Sequence, residues 1–196
     1  SFDDYSVDMV ASMIKAVEIP EGEEEKPRIL VLACENDAYP ALDMAGIGRL
    51  QLPASLRVIP VRCLGSVNAI MAADAFSRGF DGVLLLGCKS GDDYQCHFIK
   101  GSELLATRMA NVRETLGRMM LEPERAQVME VEISGSSRLP ERLDEFVRSI
   151  KALGPNPRAQ KPGVPLVDFF KRGSVAKRTP TLTHSDLFGV FAPGSY

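Results

Sequence analysis

Four short apolar runs separated by helical patterns constrain the fold of this chain more than any other feature of its sequence. Residues 28–33 (RILVLA), 57–61 (RVIPV) and 82–87 (GVLLLG) are nearly uninterrupted hydrophobic segments, as expected of parallel strands buried on both faces. Pro60 in the second run indicates an edge or terminal position. Residues 128–133 (VMEVEI) alternate apolar and acidic side chains, which predicts a strand exposed on one face at the sheet edge.

Amphipathic helical patterns fill the gaps between these strands, over residues 41–50, 67–78, 102–120 and 138–153. Ser102 is the predicted N-cap of the longest helix. Strand–helix units repeated in this way imply a parallel sheet with right-handed crossovers. We therefore predict an α/β fold, a parallel four-stranded sheet with flanking helices in the three-layer arrangement of Rossmann-like and flavodoxin-like domains.

The two ends of the chain differ from the middle in composition. Residues 1–27, predicted to be a leader helix and an acidic linker, hold eight acidic and two basic residues. Residues 28–155 form the predicted α/β domain. Residues 156–196 hold six basic and two acidic residues with many prolines and aromatics, which predicts an extended arm that packs on a neighbour. We expect the oppositely charged ends to attract each other or other proteins.

Composition excludes several classes of protein. At 45% hydrophobic, the 196 residues suffice for one core but hardly for two. No apolar run approaches the roughly 18 residues of a membrane span, and no signal segment opens the chain, so we expect a cytoplasmic protein. No basic stripe carries interleaved aromatics, which argues against nucleic acid as a partner. The chain opens Ser-Phe-Asp, which leads us to expect a trimmed sequence or a piece of a longer polypeptide.

The four cysteines follow the predicted strands in a way that points to a shared site. Cys34 and Cys88 directly follow the first and third strands, and Cys63 comes two residues after the second. Parallel strands end at one carboxyl edge, so these three thiols should lie within roughly 10 Å of one another. Cys96 lies in the next loop and can fold back over that edge. Four thiolates suit a [2Fe–2S] or [4Fe–4S] cluster or a zinc ion, whereas the simpler alternative is four small core residues.

Other residues near the cysteines give weaker indications. Arg62, Lys89 and Lys100 flank three of the cysteines and would offset thiolate charge. His97 is an alternative fourth ligand, although a capping or packed histidine is more common. The sequence contains no GxGxxG, Walker or Ser/His/Asp pattern, so we identify no catalytic residues.

Six stretches, in order, resemble the delta subunit of methyl-viologen-reducing hydrogenase over about residues 28–155: ILVLAC, YPALDMAG, RVIPVRCLGSV, GFDGVLLLGCKSGDDYQCHF, EPERAQVMEVEIS and FVRSIKALGP. The DDYQCHF variant and the flanking segments look most like the copy fused to the end of the B subunit of the quinone-interacting membrane-bound oxidoreductase complex. That B subunit in turn resembles the A subunit of heterodisulfide reductase.

The resemblance implies a [2Fe–2S] carrier that passes electrons between a partner redox protein and a flavin-containing, heterodisulfide-reductase-A-like subunit. The flavin would be bound by that partner, and membrane association would come through a quinone-interacting subunit. Family members have a Cys-Cys pair after the first strand and another cysteine three residues on. This chain keeps the second of the pair as Cys34, with Ala33 and Asp37 in the other two places. The remaining family cysteines match Cys63, Cys88 and Cys96.

Three functional hypotheses follow. The first is an electron-transfer domain of an oxidoreductase complex, with Cys34, Cys63, Cys88 and Cys96 as cluster ligands. The second is a docking module of the same kind of complex that has lost its cluster. The third is a cysteine-based enzyme such as a sulfur-transfer protein, which requires one exposed thiol of low pKa.

Overall fold

The computed structural model describes residues 6–19, 22, 26–91, 96–98 and 100–159, and a sheet of four parallel strands forms its centre. The strands lie in the spatial order β2-β1-β3-β4. Each differs from its predicted bounds by one or two residues. The bounds are β1 (Ile29–Cys34), β2 (Leu56–Val61), β3 (Gly82–Cys88) and β4 (Ala126–Val131).

Burial along the strands follows their position in the sheet. Every residue of the two inner strands, β1 and β3, is buried, in agreement with their uninterrupted hydrophobic sequences. β2, which contains Pro60, and β4, with its alternating acidic residues, are the two edge strands. Both edge predictions are therefore confirmed.

Helices cover both faces of the sheet and make the three-layer α/β arrangement predicted from the sequence. α1 (Val7–Ala16), α3 (Ala69–Arg78) and α4 (Gly101–Arg118) pack side by side, whereas α2 (Ala38–Ile47) packs with α5 (Leu139–Leu153). Short 3₁₀ turns at Leu64–Ser66, Pro123–Arg125 and Ile133–Arg138 join some of these elements. Within the described residues, no helix has both the length and the apolar character that a membrane span requires.

Two helices begin with side-chain caps, but the longest does not. The Met9 amide donates to Ser6 Oγ at the start of α1, and the Met71 amide donates to Asn68 Oδ1 at the start of α3. The prediction that Ser102 caps the longest helix is wrong, because α4 already begins at Gly101. Ser102 thus lies inside the first turn.

The first helix docks on the core rather than standing apart from it. Val10 and Ile14 are buried in the main hydrophobic cluster. The guanidinium of Arg78 on α3 donates to the backbone oxygens of Lys15 and Val17. Residues 1–5, part of the acidic linker and residues 160–196 lie outside the described residues, so the division into leader, domain and arm stays a prediction.

A buried polar network closes the amino edge of the sheet. The Asp81 carboxylate accepts hydrogen bonds from the amides of Arg28 and Asn156, each at 2.8 Å. The Asn156 side chain donates to the carbonyls of Phe76 and Phe80, also at 2.8 Å. These bonds tie the chain after α5 to the turn that precedes β3.

Arg125 makes a second set of connections at the same edge, although its side chain is only 1% exposed. Its guanidinium donates to the backbone carbonyls of Asp81 and Gly154 at 3.0 Å and to that of Leu153 at 3.3 Å. Glu122 accepts a further hydrogen bond at 2.6 Å and supplies the opposite charge. The buried cation is thus compensated by hydrogen bonds and one ion pair.

Asn156→Ala should lower the free energy of unfolding by about 2 kcal/mol, because it removes buried hydrogen bonds to two carbonyls. The matched control is Asn111→Ala, an exposed position on α4 that should change stability by less than about 0.5 kcal/mol. Urea denaturation followed by circular dichroism measures both. Equal stability of the two variants would contradict the role assigned to Asn156.

Candidate metal centre

The structure brings the four predicted cysteines together around one cavity of about 510 Å³. The cavity lies at the carboxyl edge of the sheet, where the sequence placed it. Cys34, Cys88 and Cys96 are buried and Cys63 is half-buried, and all four are free thiols. Their proximity comes from the parallel sheet, since strands that point the same way end at the same edge.

Cys34 and Cys88 form the first pair of the site. Their sulfur atoms are 3.3 Å apart. Each cysteine is the last residue of an inner strand, β1 or β3. The chain leaves these two neighbouring strands in opposite directions across the sheet, towards β2 and β4, and such a crevice is where open α/β sheets bind ligands.

Cys63 and Cys96 form the second pair, on the side of α4. Cys63 caps the 3₁₀ turn Leu64–Ser66, and its sulfur accepts a hydrogen bond from the Gly65 amide at 3.4 Å. A β-carbon built on Gly101 would lie 2.6 Å from the Cys63 sulfur and 2.8 Å from the Cys96 sulfur. Since both sulfurs flank the same point, they are neighbours.

The first pair has an uneven distribution of charge. The hydrogen bond from Cys88, followed by backbone hydrogen bonds from Ala38, Asp37 and Asn36, lowers the pKa of Cys34 to about 6. The hydrogen bond to Cys34, together with burial, raises the pKa of Cys88 well above its usual range. The two sulfurs thus hold one proton and one negative charge at neutral pH, and the N–H groups at the start of α2 stabilise that charge.

Cys63, in the second pair, lies in a setting less favourable to a thiolate. Burial is the main cause that raises the pKa of Cys63, and the hydrogen bond from Gly65 only partly opposes it. The neighbouring charges of Cys96 and Cys34 raise the pKa further. A cationic metal centre would reverse this preference, because it stabilises thiolate ligands directly.

Two departures from the family cysteine pattern are visible at the first pair. Ala33 is fully buried in β1, opposite Leu86 of β3. Asp37 is 4% exposed and contributes, by a hydrogen bond and by its charge, to the raised pKa of Cys88. Asp37 therefore favours a protonated Cys88 in the metal-free protein.

The predicted cations flank the site, but carboxylates accompany two of them. Arg62 forms an ion pair with Glu35 at 3.2 Å, and its guanidinium carbon lies 5.9 Å from the centre of the Phe98 ring. Lys89 forms an ion pair with Glu132 at 2.9 Å. Much of their charge is therefore offset locally, and the backbone N–H groups near Cys34 contribute more to thiolate stabilisation.

His97 lines the cavity but is exposed, and its ring packs edge-to-face with that of Phe98 at 5.2 Å. In the part of the chain that the structure describes, no group of three or more His, Cys, Asp or Glu side chains is arranged to hold a single metal ion.

Sequence reasoning missed two contributors to the site, Gly101 and Asn36, and named a third, Asp37, only as a departure from the family cysteine pattern. Gly101 leaves the space that two sulfurs occupy, and Asn36 donates from its amide nitrogen to the Cys88 sulfur at 3.8 Å. Asp37 occupies the residue before α2. The available signals were a glycine directly before the longest helical pattern and three polar residues between Cys34 and the next helix.

Comparison with known proteins now identifies the family. The sequence profile described as "Methyl-viologen-reducing hydrogenase, delta subunit" matches residues 29–154, which include all four cysteines and every strand. The chain belongs to this delta subunit family. The expectation from the resemblance is confirmed at this level.

Individual relatives fall into two kinds. The chain is 34% identical over 134 residues to the iron-sulfur D subunit of the F420-non-reducing hydrogenase of Archaeoglobus profundus, with 68% of this chain and 96% of the relative covered. It is 32% identical to the vhc iron-sulfur D subunit of Methanococcus voltae, with 68% and 91% covered. It is also 30% identical to the A subunit of a CoB-CoM heterodisulfide reductase of Methanosarcina acetivorans, where 66% of this chain matches only 16% of the relative.

In the metal-free delta-subunit domain, one thiolate should form as the pH rises through about 6, since the pKa of Cys34 is lowered to that value. Cys88→Ala removes the main hydrogen bond, so this ionisation should move towards the ordinary pKa of 9.0. Cys96→Ala serves as the control and should leave it in place. Ultraviolet thiolate absorbance against pH measures the shift, and an unchanged titration in Cys88→Ala would contradict the assignment.

Proposed function

We propose that this domain is an electron carrier whose cofactor is a [2Fe–2S] cluster held by Cys34, Cys63, Cys88 and Cys96. The observation that carries the proposal is the presence of all four sulfurs around one cavity at the carboxyl edge of the sheet. Four thiolates are the usual ligands of such a cluster. When bound, the cluster would accept and release one electron, while the protein supplies ligation, burial and local charge.

The pairing of the sulfurs supports a binuclear centre over a single ion. Two thiolates on one tetrahedral metal, with bonds of about 2.3 Å, are separated by about 3.8 Å. The Cys34–Cys88 separation of 3.3 Å is close to this value. Cys63 and Cys96 provide a second pair beside Gly101. A zinc ion would need all four sulfurs around one point, and the described residues include no such group.

The surroundings of the first pair would help to tune the potential of a bound cluster. Backbone N–H groups of Asn36, Asp37 and Ala38 already stabilise negative charge on Cys34. Hydrogen bonds to cluster sulfurs and thiolates raise the reduction potential, because they favour the more negative reduced state. Burial of Cys34 and Cys88 opposes this effect by disfavouring added charge.

The relatives support a role in a multisubunit oxidoreductase. The iron-sulfur D subunits match this domain almost from end to end, whereas the A subunit of heterodisulfide reductase contains it as a small part of a longer chain. We infer that the domain exchanges electrons with a heterodisulfide-reductase-A-like partner, which would bind flavin. A cytoplasmic complex that reaches a membrane through a quinone-interacting subunit is the finer form of this proposal.

A docking module without a cluster is the second candidate. It is favoured by Ala33 and Asp37, which replace two cysteines of the family pattern. In that case the domain would contribute only contacts between subunits, and variants lacking the thiols would still assemble. A cysteine-based enzyme fits less well, since the thiol with the lowered pKa, Cys34, is 2% exposed and thus screened from substrates.

The test is to produce the protein anaerobically and measure iron, acid-labile sulfide, visible absorption and the EPR spectrum of the reduced sample. We expect about two irons and two sulfides per chain, the composition of a [2Fe–2S] centre. Cys88→Ser should lower the iron content at least about tenfold, since it removes a ligand. His97→Ala is the matched control from the same cavity and should keep the full content.

Different outcomes select different functions. Iron-free protein after reconstitution with iron and sulfide, together with normal binding of the partner subunit, would favour the docking module. A content of one zinc per chain would indicate a single structural ion instead of the binuclear centre. Loss of iron in His97→Ala would identify His97 as a ligand of the cluster.

A further inference from the structure

The first residue of α4, Gly101, is buried where a side chain would overlap two sulfur atoms. Its β-carbon would lie 2.6 Å from the sulfur of Cys63 and 2.8 Å from that of Cys96, well inside van der Waals contact. The backbone of Gly101 is not in the left-handed region, so conformation alone does not require glycine here. The requirement is for space at this point of the site.

The backbone beside Gly101 is held close to the turn that carries Cys63. A β-carbon on Gly65 would lie 3.2 Å from both the α-carbon and the oxygen of Gly101, so the turn and α4 pack backbone to backbone. Arg108 of α4 fastens this contact, since its guanidinium donates to the backbone oxygens of Gly65 and Val67. The turn cannot easily withdraw from the helix to make room for a side chain.

Cys96 is constrained from the other direction. It is 6% exposed, and only four positions separate it from Gly101 along the chain. The sulfurs of Cys63 and Cys96 therefore meet over the first turn of α4, with the Gly101 α-carbon as the surface against which both are packed. Cys34 and Cys88, at the ends of the inner strands, do not lie within 4 Å of that β-carbon position.

We propose that Gly101 is a positioning residue that sets the places of the Cys63 and Cys96 sulfurs, and that any side chain there separates this pair from Cys34 and Cys88. The expected effect on iron binding rests on the proposed cluster, whereas the effect on the positions of the two sulfurs does not depend on it. Displacement of even one sulfur would leave the cluster with an incomplete set of ligands.

The experiment compares Gly101→Ala with Gly117→Ala on the same helix. Gly117 has nothing within 4 Å of its β-carbon position, so alanine there adds the same methyl group without a clash. Site-resolved alkylation of the metal-free proteins by iodoacetamide, read by mass spectrometry, reports the thiols. In Gly101→Ala, the rates at Cys63 and Cys96 should rise about threefold or more as the sulfurs are displaced, while Cys34 and Cys88 keep their rates.

Anaerobic reconstitution then reports the cluster. Iron affinity, measured by competition with a chelator, should fall about tenfold or more in Gly101→Ala, as for residues that hold metal ligands in place. The midpoint potential and EPR signal of any remaining cluster should shift. Gly117→Ala should match the unsubstituted protein in iron affinity, midpoint potential and EPR signal.

Gly65→Ala covers the possibility that Gly101→Ala does not fold, as judged by circular dichroism. Its β-carbon would contact Gly101 at 3.2 Å and the Cys63 sulfur at 3.4 Å, so a smaller effect at Cys63 is expected. Unchanged alkylation at Cys63 in both variants would overturn the inference, whatever the iron content. Another outcome is that alkylation rises selectively at Cys63 and Cys96 in Gly101→Ala while no protein, including the unsubstituted one, binds iron. That result would support the positioning role and refute the proposed function.

Discussion

The parallel pairing of β1 with β3 is the constraint on which the site depends. Both strands are buried along their whole length, and they pair in the register that places Ile29 opposite Gly82 and Ala33 opposite Leu86. This register brings Cys34 and Cys88 to the carboxyl edge with their sulfurs 3.3 Å apart. The same edge is the point where the chain turns in opposite directions, and the crevice left there is lined by the four thiols.

Local hydrogen bonds, rather than nearby cations, stabilise negative charge at Cys34. Hydrogen bonds from Cys88 and from the start of α2 stabilise a thiolate at Cys34. The nearby cations Arg62 and Lys89 form ion pairs with carboxylates at the rim, which reduces their field at the sulfurs. Exposed ion pairs of this kind contribute little to stability, and they leave the rim polar without a large net charge.

The buried polar network and the cysteine site occupy opposite edges of the sheet. At the amino edge, Asp81, Arg125 and Asn156 connect β3, β4 and the segment after α5 through buried hydrogen bonds. At the carboxyl edge there is no comparable network of ordinary hydrogen bonds among the described residues; instead, the thiols of Cys34, Cys63 and Cys88 have shifted pKa values. The two networks share no residue, although Cys34, Cys88 and Cys96 belong to the same hydrophobic core.

The sequence by itself determined the fold class and the edge at which the cysteines meet. Continuous apolar runs specify buried parallel strands, alternation specifies an exposed one, and parallel strands must end together. The start of α4 was misjudged, because the serine signal at Ser102 suggested a later beginning, whereas the helix starts at the glycine before it. Helix propensity along the sequence does not indicate that the backbone at Gly101 packs against the sulfur atoms of two cysteines.

Only the tertiary structure decided how the four thiols are grouped. Spacings along the chain do not state which strands are neighbours, so the order β2-β1-β3-β4 and the contact between Cys34 and Cys88 required three-dimensional packing. The same is true of Gly101, since the space it leaves matters only because Cys63 and Cys96 arrive there from other elements. Side-chain pattern defines each element, whereas the site arises from distances between elements that are far apart in sequence.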